Sequence, residues 1–126
     1  MNKKIKVRIV ADGAEGFFNR AREHARQLDK GEELAPEVTV SFENVADMVQ
    51  ILSAERIRLL SFTRRKRVPV SALAQELKRD PRAVSRDVDI LEGFGLLHSR
   101  YEKNPGHGKR RIVEPRAAKY HLLATI

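Results

Sequence analysis

A short segment in the second half of the chain carries side chains suited to binding another molecule. Arg82, Ser85, Arg86 and Asp89 recur at intervals of three or four residues, so in a helix they share one face. Guanidinium groups bind phosphates and base edges, and a hydroxyl or carboxylate can form hydrogen bonds with base edges. The combination predicts a helix face that contacts both the backbone and the bases of a nucleic acid.

The opposite side of this segment is apolar, which indicates how the helix is held in the molecule. Its buried stripe follows helical spacing and consists of Val84, Val88 and Leu91. Asp80 is a good N-cap, and Pro81 suits the first helical position, where a missing N–H has no cost. The pattern predicts a helix from Pro81 to about Gly93.

The neighbouring elements complete a recognisable motif. Before the helix, Ser71 is expected to cap a shorter one, whose shared apolar face consists of Leu73, Ala74 and Leu77. After it, Gly93 and Gly95 end the helix, and a hairpin with its tip at residues 104–108 follows. The basic residues of this hairpin, expected on the nucleic-acid backbone, are Arg100, Lys103, Lys109, Arg110 and Arg111. Helix, turn, helix and basic hairpin together predict a winged helix-turn-helix.

A further helix is predicted from Ala54 to about Arg65, with Ile57, Leu60 and Phe62 on its apolar face, and a run of four basic residues ends it. The run consists of Arg64, Arg65, Lys66 and Arg67. Cations favour the C-terminal end of a helix dipole, so the run fits a solvated helix end. It equally fits a second phosphate clamp that flanks the same duplex, and the sequence leaves both interpretations open.

The net charge lies entirely in the half of the chain that carries this motif. Residues 1–63 hold 10 Lys and Arg against 10 Asp and Glu, whereas residues 64–126 hold 15 against 7, which gives the whole-chain net charge of +8. Such a division predicts a surface that binds a polyanion. At 126 residues and 41% hydrophobic content, the chain suits one domain, or a small domain with an extension.

The remaining pattern predicts strands and helices on either side of the motif. Residues 3–10 alternate as a half-buried strand, residues 14–29 form a helix, residues 38–42 form a second strand and residues 120–126 a third. The expected fold class is α+β, with a strand–helix–strand extension over residues 1–43, a winged helix-turn-helix over 44–114 and a C-terminal strand over 115–126. The two terminal strands are expected to pair. Within the extension, the helix is expected to place Phe17 or Phe18, Ala21, Ala25 and Leu28 on one face. The apolar faces of the extension and of the C-terminal strand are expected to serve dimerisation or the binding of a partner.

Enzymatic and metal chemistry find little support. The four histidines, His24, His98, His107 and His121, show no metal-ligand spacing, and the absence of Cys excludes thiolate sites and disulfides. Asp89 and Glu92 could share a face as a nuclease pair does, but between basic residues they are better suited to base contact or to holding an Arg. We therefore expect no enzyme, no metal and no cofactor. The N-terminal residues lack the apolar run of a signal peptide, so we expect a cytoplasmic protein without a membrane segment.

The motif residues resemble a known family. The resemblance rests on Leu73-Ala74, Leu77, Arg79-Asp80, Val84, Arg86-Asp87-Val88, Leu91 and Gly95-Leu96-Leu97, with weaker similarity at Gly31-Glu32-Glu33, Pro36-Glu37, Ser41-Phe42-Glu43 and Val113-Glu114-Pro115. These patterns are similar to small archaeal and bacterial winged helix-turn-helix proteins, loosely MarR-like, which are regarded as DNA-binding transcriptional regulators. Members are often encoded beside a small toxin, so the resemblance also implies an antitoxin role.

Three functional hypotheses follow. The first is a dimeric transcription factor, an autorepressor, that binds an inverted repeat in double-stranded DNA. The second is an antitoxin whose N-terminal half masks a small toxin protein while its basic half binds operator DNA. The third is a structured-RNA-binding protein, although no exposed aromatic platform of the kind used by single-strand binders is evident.

Overall fold

A computed structural model describes residues 5–33 and 37–126, which form two three-stranded sheets and five helices. The elements in chain order are β1 Lys6–Ala11, α1 Gly13–Asp29, β2 Glu37–Phe42, α2 Val45–Ile51, α3 Ala54–Thr63, β3 Val68–Pro69, α4 Val70–Leu77, α5 Pro81–Gly93, β4 Leu97–Lys103, β5 Lys109–Pro115 and β6 Tyr120–Ala124. The expected α+β fold class is confirmed. The predicted strand start at residues 3 and 4 and the chain break at Pro36 lie outside the described residues.

The first sheet has the order β2-β1-β6 and all three strands are parallel. Val7 pairs with Val38 on one side and with Tyr120 on the other, so the pairing expected between the two terminal strands is confirmed. Val7 and Ile9 are fully buried, since β1 is the central strand and one face of the sheet joins the main core. Helix α1 makes the connection between the parallel strands β1 and β2, as such a pair requires.

The second sheet, β3-β5-β4, and helices α3, α4 and α5 form the winged helix-turn-helix. Local sequence sets the helix starts: the side chains of Asn44, Ser53 and Asp80 each accept a backbone N–H in the first turn of α2, α3 and α5. Lys78 closes α4 in the left-handed conformation, with φ 54°, and Gly95 has φ 77° where α5 turns into β4. The core contains the apolar stripes of both motif helices.

Two sequence expectations about this unit were wrong. Ser71 does not cap α4, because the helix already begins at Val70, directly after Pro69, which has no side-chain acceptor to offer. Strand β3 was not predicted, because two residues are too short to show any periodicity. It nevertheless pairs Val68 with Val113 and so ties the start of α4 to the wing.

Several apolar residues expected in the core lie at the surface. Helix α1 has the predicted apolar face, but none of its residues is buried, so this face is exposed to solvent. Val49, expected on one apolar face of α2 with Met48, is 55% exposed, and Ile57 and Phe62 of α3 are 43% and 40% exposed. The expected burial of Leu60 is confirmed, and the other buried residues of α3 are Leu59 and Thr63. Periodicity identifies an apolar face correctly, but it does not tell whether the rest of the chain covers that face.

Candidate nucleic-acid interface

Helix α5 presents to solvent the face that the sequence indicated. Arg82, Arg86 and Asp89 are exposed and Ser85 is half-buried, while the opposite face packs in the core. Among residues 5–33 and 37–126, neither Arg82 nor Arg86 has an acidic partner within ion-pair distance. Two uncompensated guanidinium groups on one exposed helix face suit the recognition of phosphates and base edges.

A buried carboxylate fixes α5 against the helices around it. Asp87 accepts from Arg56 Nε at 3.0 Å and from Arg79 Nη1 at 2.7 Å, and all three side chains are at most 21% exposed. Arg56 also donates to the backbone carbonyl of Ile51 at 2.9 Å, so one carboxylate connects α2, α3, α5 and the turn before α5. The acids of this helix were expected to contact a base or hold an Arg, and Asp87 holds two.

Arg111 joins the wing to α5. From β5 its Nη1 lies 2.9 Å from Ser85 Oγ and 2.8 Å from Asp89 Oδ1. Its Nη2 lies 3.1 Å from Glu92 Oε1, and its Nε donates to Ser99 Oγ at 3.1 Å. With only 10% of its side chain exposed, Arg111 holds two of the four predicted base-contacting residues in position. The guanidinium group of Arg111, which was expected to face the nucleic-acid backbone, is thus bound by side chains of the protein itself.

Glu92 is the second anchor between helix and wing. It accepts from both the backbone N–H and the hydroxyl of Ser99, at 2.9 and 2.7 Å. Partial burial alone would raise the pKa of Glu92, but the hydrogen bonds from Ser99 and Arg111 outweigh it and hold that pKa below its usual range. The carboxylate is therefore ionised at neutral pH and fixes the angle between β4 and α5.

The other basic residues of the wing fall into two groups. Arg100 pairs with Glu102 and Glu114, and Arg110 pairs with Glu102, all at 2.8–2.9 Å. Lys103 and Lys109 are exposed and face each other at the end of the hairpin. Like charges directly opposite in a sheet are destabilising, and a polyanion placed between them would remove the repulsion. The wing tip is therefore the part of the hairpin best suited to a phosphate.

The basic run at residues 64–67 lies toward the opposite end of the wing. Val68 pairs with Val113, and β3 runs antiparallel to β5, so Arg67 lies toward the wing base. Val113 is four residues from Lys109 along β5, roughly 13 Å at the rise of a strand. The structure does not bring Arg64, Arg65 and Arg67 together with the lysines of the tip.

The histidines and the other potential metal ligands form no further candidate site in the described parts of the chain. The histidines are dispersed: His98 stands beside Glu92, at 3.7 Å, and His107 is in the wing turn. No group of three or more potential metal-ligating side chains occurs in the described parts of the chain. Within the same residues, every helix is too short or too polar to cross a lipid bilayer.

The sequence contains a specific signal for the role of Asp87. Asp87 lies at i+3 from Val84 and i−4 from Leu91, inside the buried stripe, where a carboxylate needs cationic partners. Glu92 was expected to contact a base or to hold an Arg, and it holds Arg111. Nothing in the sequence indicated which residues bind these two acids, because the partners come from other elements. They are Arg56, Arg79 and Ser99.

These features define the protein as a winged helix-turn-helix, with an exposed basic face on its second motif helix and a basic wing tip. A family model with the description HVO_A0114 matches residues 51–115, which is just over half of the chain. The chain belongs to this family. The observed fold confirms the predicted resemblance to winged helix-turn-helix proteins. No curated protein matches the sequence.

Solved structures give a distant likeness in fold alone. A Methanosarcina mazei protein described as a possible transcriptional regulator is 21% identical, with a TM-score of 0.48, over 56% of this chain and 64% of that one. A Mycobacterium bovis homodimeric winged helix-turn-helix DNA-binding domain, described as a possible ArsR-family regulator, is 21% identical, with a TM-score of 0.44, over 56% and 62%. A Pyrococcus horikoshii transcriptional regulator homologue is 19% identical, with a TM-score of 0.42, over 56% and 76%. The matched region thus spans less than two thirds of the length of the Methanosarcina mazei and Mycobacterium bovis proteins.

Proposed function

We propose that the protein is a sequence-specific double-stranded-DNA-binding transcriptional regulator that acts as a dimer and represses its own operon. The observation that carries this proposal is a pair of exposed arginines on α5, Arg82 and Arg86. The helix is held in place by the ion pairs of its own Asp87 and by the contacts of Arg111 from the wing. An exposed helix of this kind fits the major groove, and the adjacent wing tip reaches the backbone.

The proposal divides the predicted contacts between two roles. Arg86 reads a base, whereas Arg82, Lys103 and Lys109 bind phosphates. Arg100 and Arg110 already have acidic partners. The basic run at residues 64–67 makes no direct contact in this proposal and contributes only to the positive electrostatic potential that attracts DNA. If each subunit neutralises three phosphates, the logarithm of the binding constant of a dimer should fall with the logarithm of salt concentration at a slope of about −5.

The test is fluorescence anisotropy with the DNA upstream of the protein's own gene, random duplex and a stem-loop RNA of equal length, at two salt concentrations. We expect the upstream duplex to bind at least about a hundredfold more tightly than the random duplex. Equal binding to all three, lost in higher salt, would show that the basic half is a general polyanion surface. A preference for the stem-loop would favour the RNA hypothesis instead.

Two variants separate the proposed roles. Arg86→Ala should weaken binding to the upstream duplex by about 1–3 kcal/mol and relax sequence preference, because a base contact is lost. Lys109→Ala should weaken all duplexes alike and reduce the salt slope by about 0.9 per subunit. Equal losses on specific and random DNA for Arg86→Ala would contradict the assignment of Arg86 to a base.

The antitoxin hypothesis is a second candidate. The exposed apolar face of α1 favours it, since a protein partner could cover that face. Co-purification of a small protein encoded by a neighbouring gene would support this function. Such a partner is compatible with operator binding through α5, because the two surfaces are on different elements.

A further inference from the structure

Helix α1 turns a face of glycine and polar residues toward the molecule and its apolar residues toward solvent. At 100° per residue its partly buried positions cluster on one side, and they are Gly13, Gly16, Arg20, Glu23 and Gln27. The apolar residues form a separate stripe, and every one is exposed: Ala14, Phe17, Phe18, Ala21, Ala25 and Leu28. Helices of soluble proteins normally have the reverse arrangement.

The size of this stripe requires a partner. Phe17, Phe18 and Leu28 are 57%, 56% and 60% exposed. A groove of about 300 Å³ lies beside Phe17 and Ala21, between α1 and the Thr39 and Ser41 positions of β2. Contiguous exposed apolar surface of this kind marks an interaction site, and most helical stability in proteins comes from packing of such a face.

We infer that α1 packs antiparallel against α1 of a second copy of this chain, with Ala21 at the twofold axis. This inference rests on the part of the proposed function that makes the regulator a dimer. The stripe is self-complementary in size about Ala21. In this register Leu28 faces Ala14 of the other copy, and Phe17 faces Ala25. Phe17 and Leu28 then each meet an alanine, Phe18 meets His24, and the central alanines allow a close approach of the two helices.

The helix dipoles of α1 favour the same arrangement, because an antiparallel pair opposes them and a parallel pair would align them. The charged residues at the two ends do not select between these arrangements. Asp29 lies beside Lys30 at the C-terminal end, and Arg26 already pairs with Glu23. A second copy is therefore the occupant that the size pattern favours, and the dipoles favour its antiparallel orientation.

The register can be tested directly because the natural chain contains no Cys. Under mild oxidation, Ala21→Cys should form a covalent dimer. Ala14→Cys and Leu28→Cys should each stay monomeric on a denaturing gel, yet they should cross-link to one another when the two proteins are mixed. Leu28→Cys cross-linked to itself would indicate a parallel pair, and an absence of all cross-links would overturn the interface. Ala46→Cys, exposed on α2, serves as the unlinked control.

The oligomeric state in the absence of DNA gives an independent test. Light scattering at micromolar concentration should show twice the 14.4 kDa of one chain, and Phe17→Glu should give a monomer. Val49→Glu is the matched control, because Val49 is 55% exposed on a different helix and should leave the dimer intact. A dimeric Phe17→Glu, or a monomeric natural protein, would overturn the inference.

A loss of α1 structure in the Phe17→Glu variant would not obscure this result, because the cross-links are measured on chains that keep both phenylalanines. The test is also separate from that of DNA binding. If the protein forms this dimer but binds no DNA, the proposed function fails while the interface stands. If it binds DNA as a monomer, the interface fails alone.

Discussion

Arg111 shows how one side chain can belong to the wing by sequence and to α5 by contact. Its guanidinium group contacts Ser85, Asp89, Glu92 and Ser99, and only 10% of the side chain is exposed. We expect Arg111→Gln to lower the free energy of unfolding by about 2 kcal/mol, because several charge-assisted hydrogen bonds are lost. Urea denaturation measures this change.

The same variant tests whether Arg111 meets the DNA backbone. If it acts only on the protein, the salt slope of DNA binding should stay unchanged in Arg111→Gln. Lys109→Ala is the comparison, with a reduced slope and near-natural stability, because Lys109 is exposed at the wing tip. A slope reduced as much by Arg111→Gln as by Lys109→Ala would place Arg111 on a phosphate after all.

At the scale of elements, the contact between α5 and the wing should depend on pH through Glu92. Because the pKa of Glu92 is lowered in the fold, its contribution to stability is complete above the unfolded pKa of about 4.3 and is lost as the pH falls through the lower folded value. Glu92→Gln should therefore lose less stability than the natural protein between about pH 5 and about pH 3. Thermal unfolding across this range measures the difference.

The control for this pH effect is Glu76→Gln, since Glu76 is exposed on α4 and has no ion pair within the described segments. Its acid profile should follow that of the natural protein. Identical profiles for all three proteins would mean that Glu92 does not couple the wing to α5.

The elements also show what a sequence can predict. Helix α5 was predictable because Asp80, Pro81 and its apolar stripe all act locally. The exposure of α1 was not predictable, because the sequence pattern of this helix is the same whether the rest of the same chain or a second copy covers its apolar face. The partners of Arg111 could not be predicted either, since they depend on how closely β5 approaches α5. Local chemistry sets the elements, and tertiary approach decides which side chains meet.

On the scale of the whole molecule, Tyr120 couples the two sheets. Its hydroxyl donates to the Leu96 carbonyl at 2.7 Å and accepts from the Arg116 N–H at 3.0 Å, and burial raises its pKa. Tyr120→Phe should lower the free energy of unfolding by about 1–2 kcal/mol, because both backbone groups lose their partner. Urea denaturation tests this, with the 64%-exposed Tyr101 as the site of the control Tyr101→Phe. Equal effects of the two substitutions would show that Tyr120 does not join the sheets.

The parallel pairing of β1 with β6 also sets the order of folding. Val7 meets Tyr120 across nearly the whole chain, whereas the wing strands pair across a single tight turn. Loop closure over so many residues slows the formation of non-local contacts, while local helices and hairpins form early. The winged helix-turn-helix should therefore assemble first and serve as the template on which the parallel sheet closes. The sheet that holds α1, and with it the fixed position of the surface proposed for dimerisation, would then be complete only in chains whose winged helix-turn-helix is already in place.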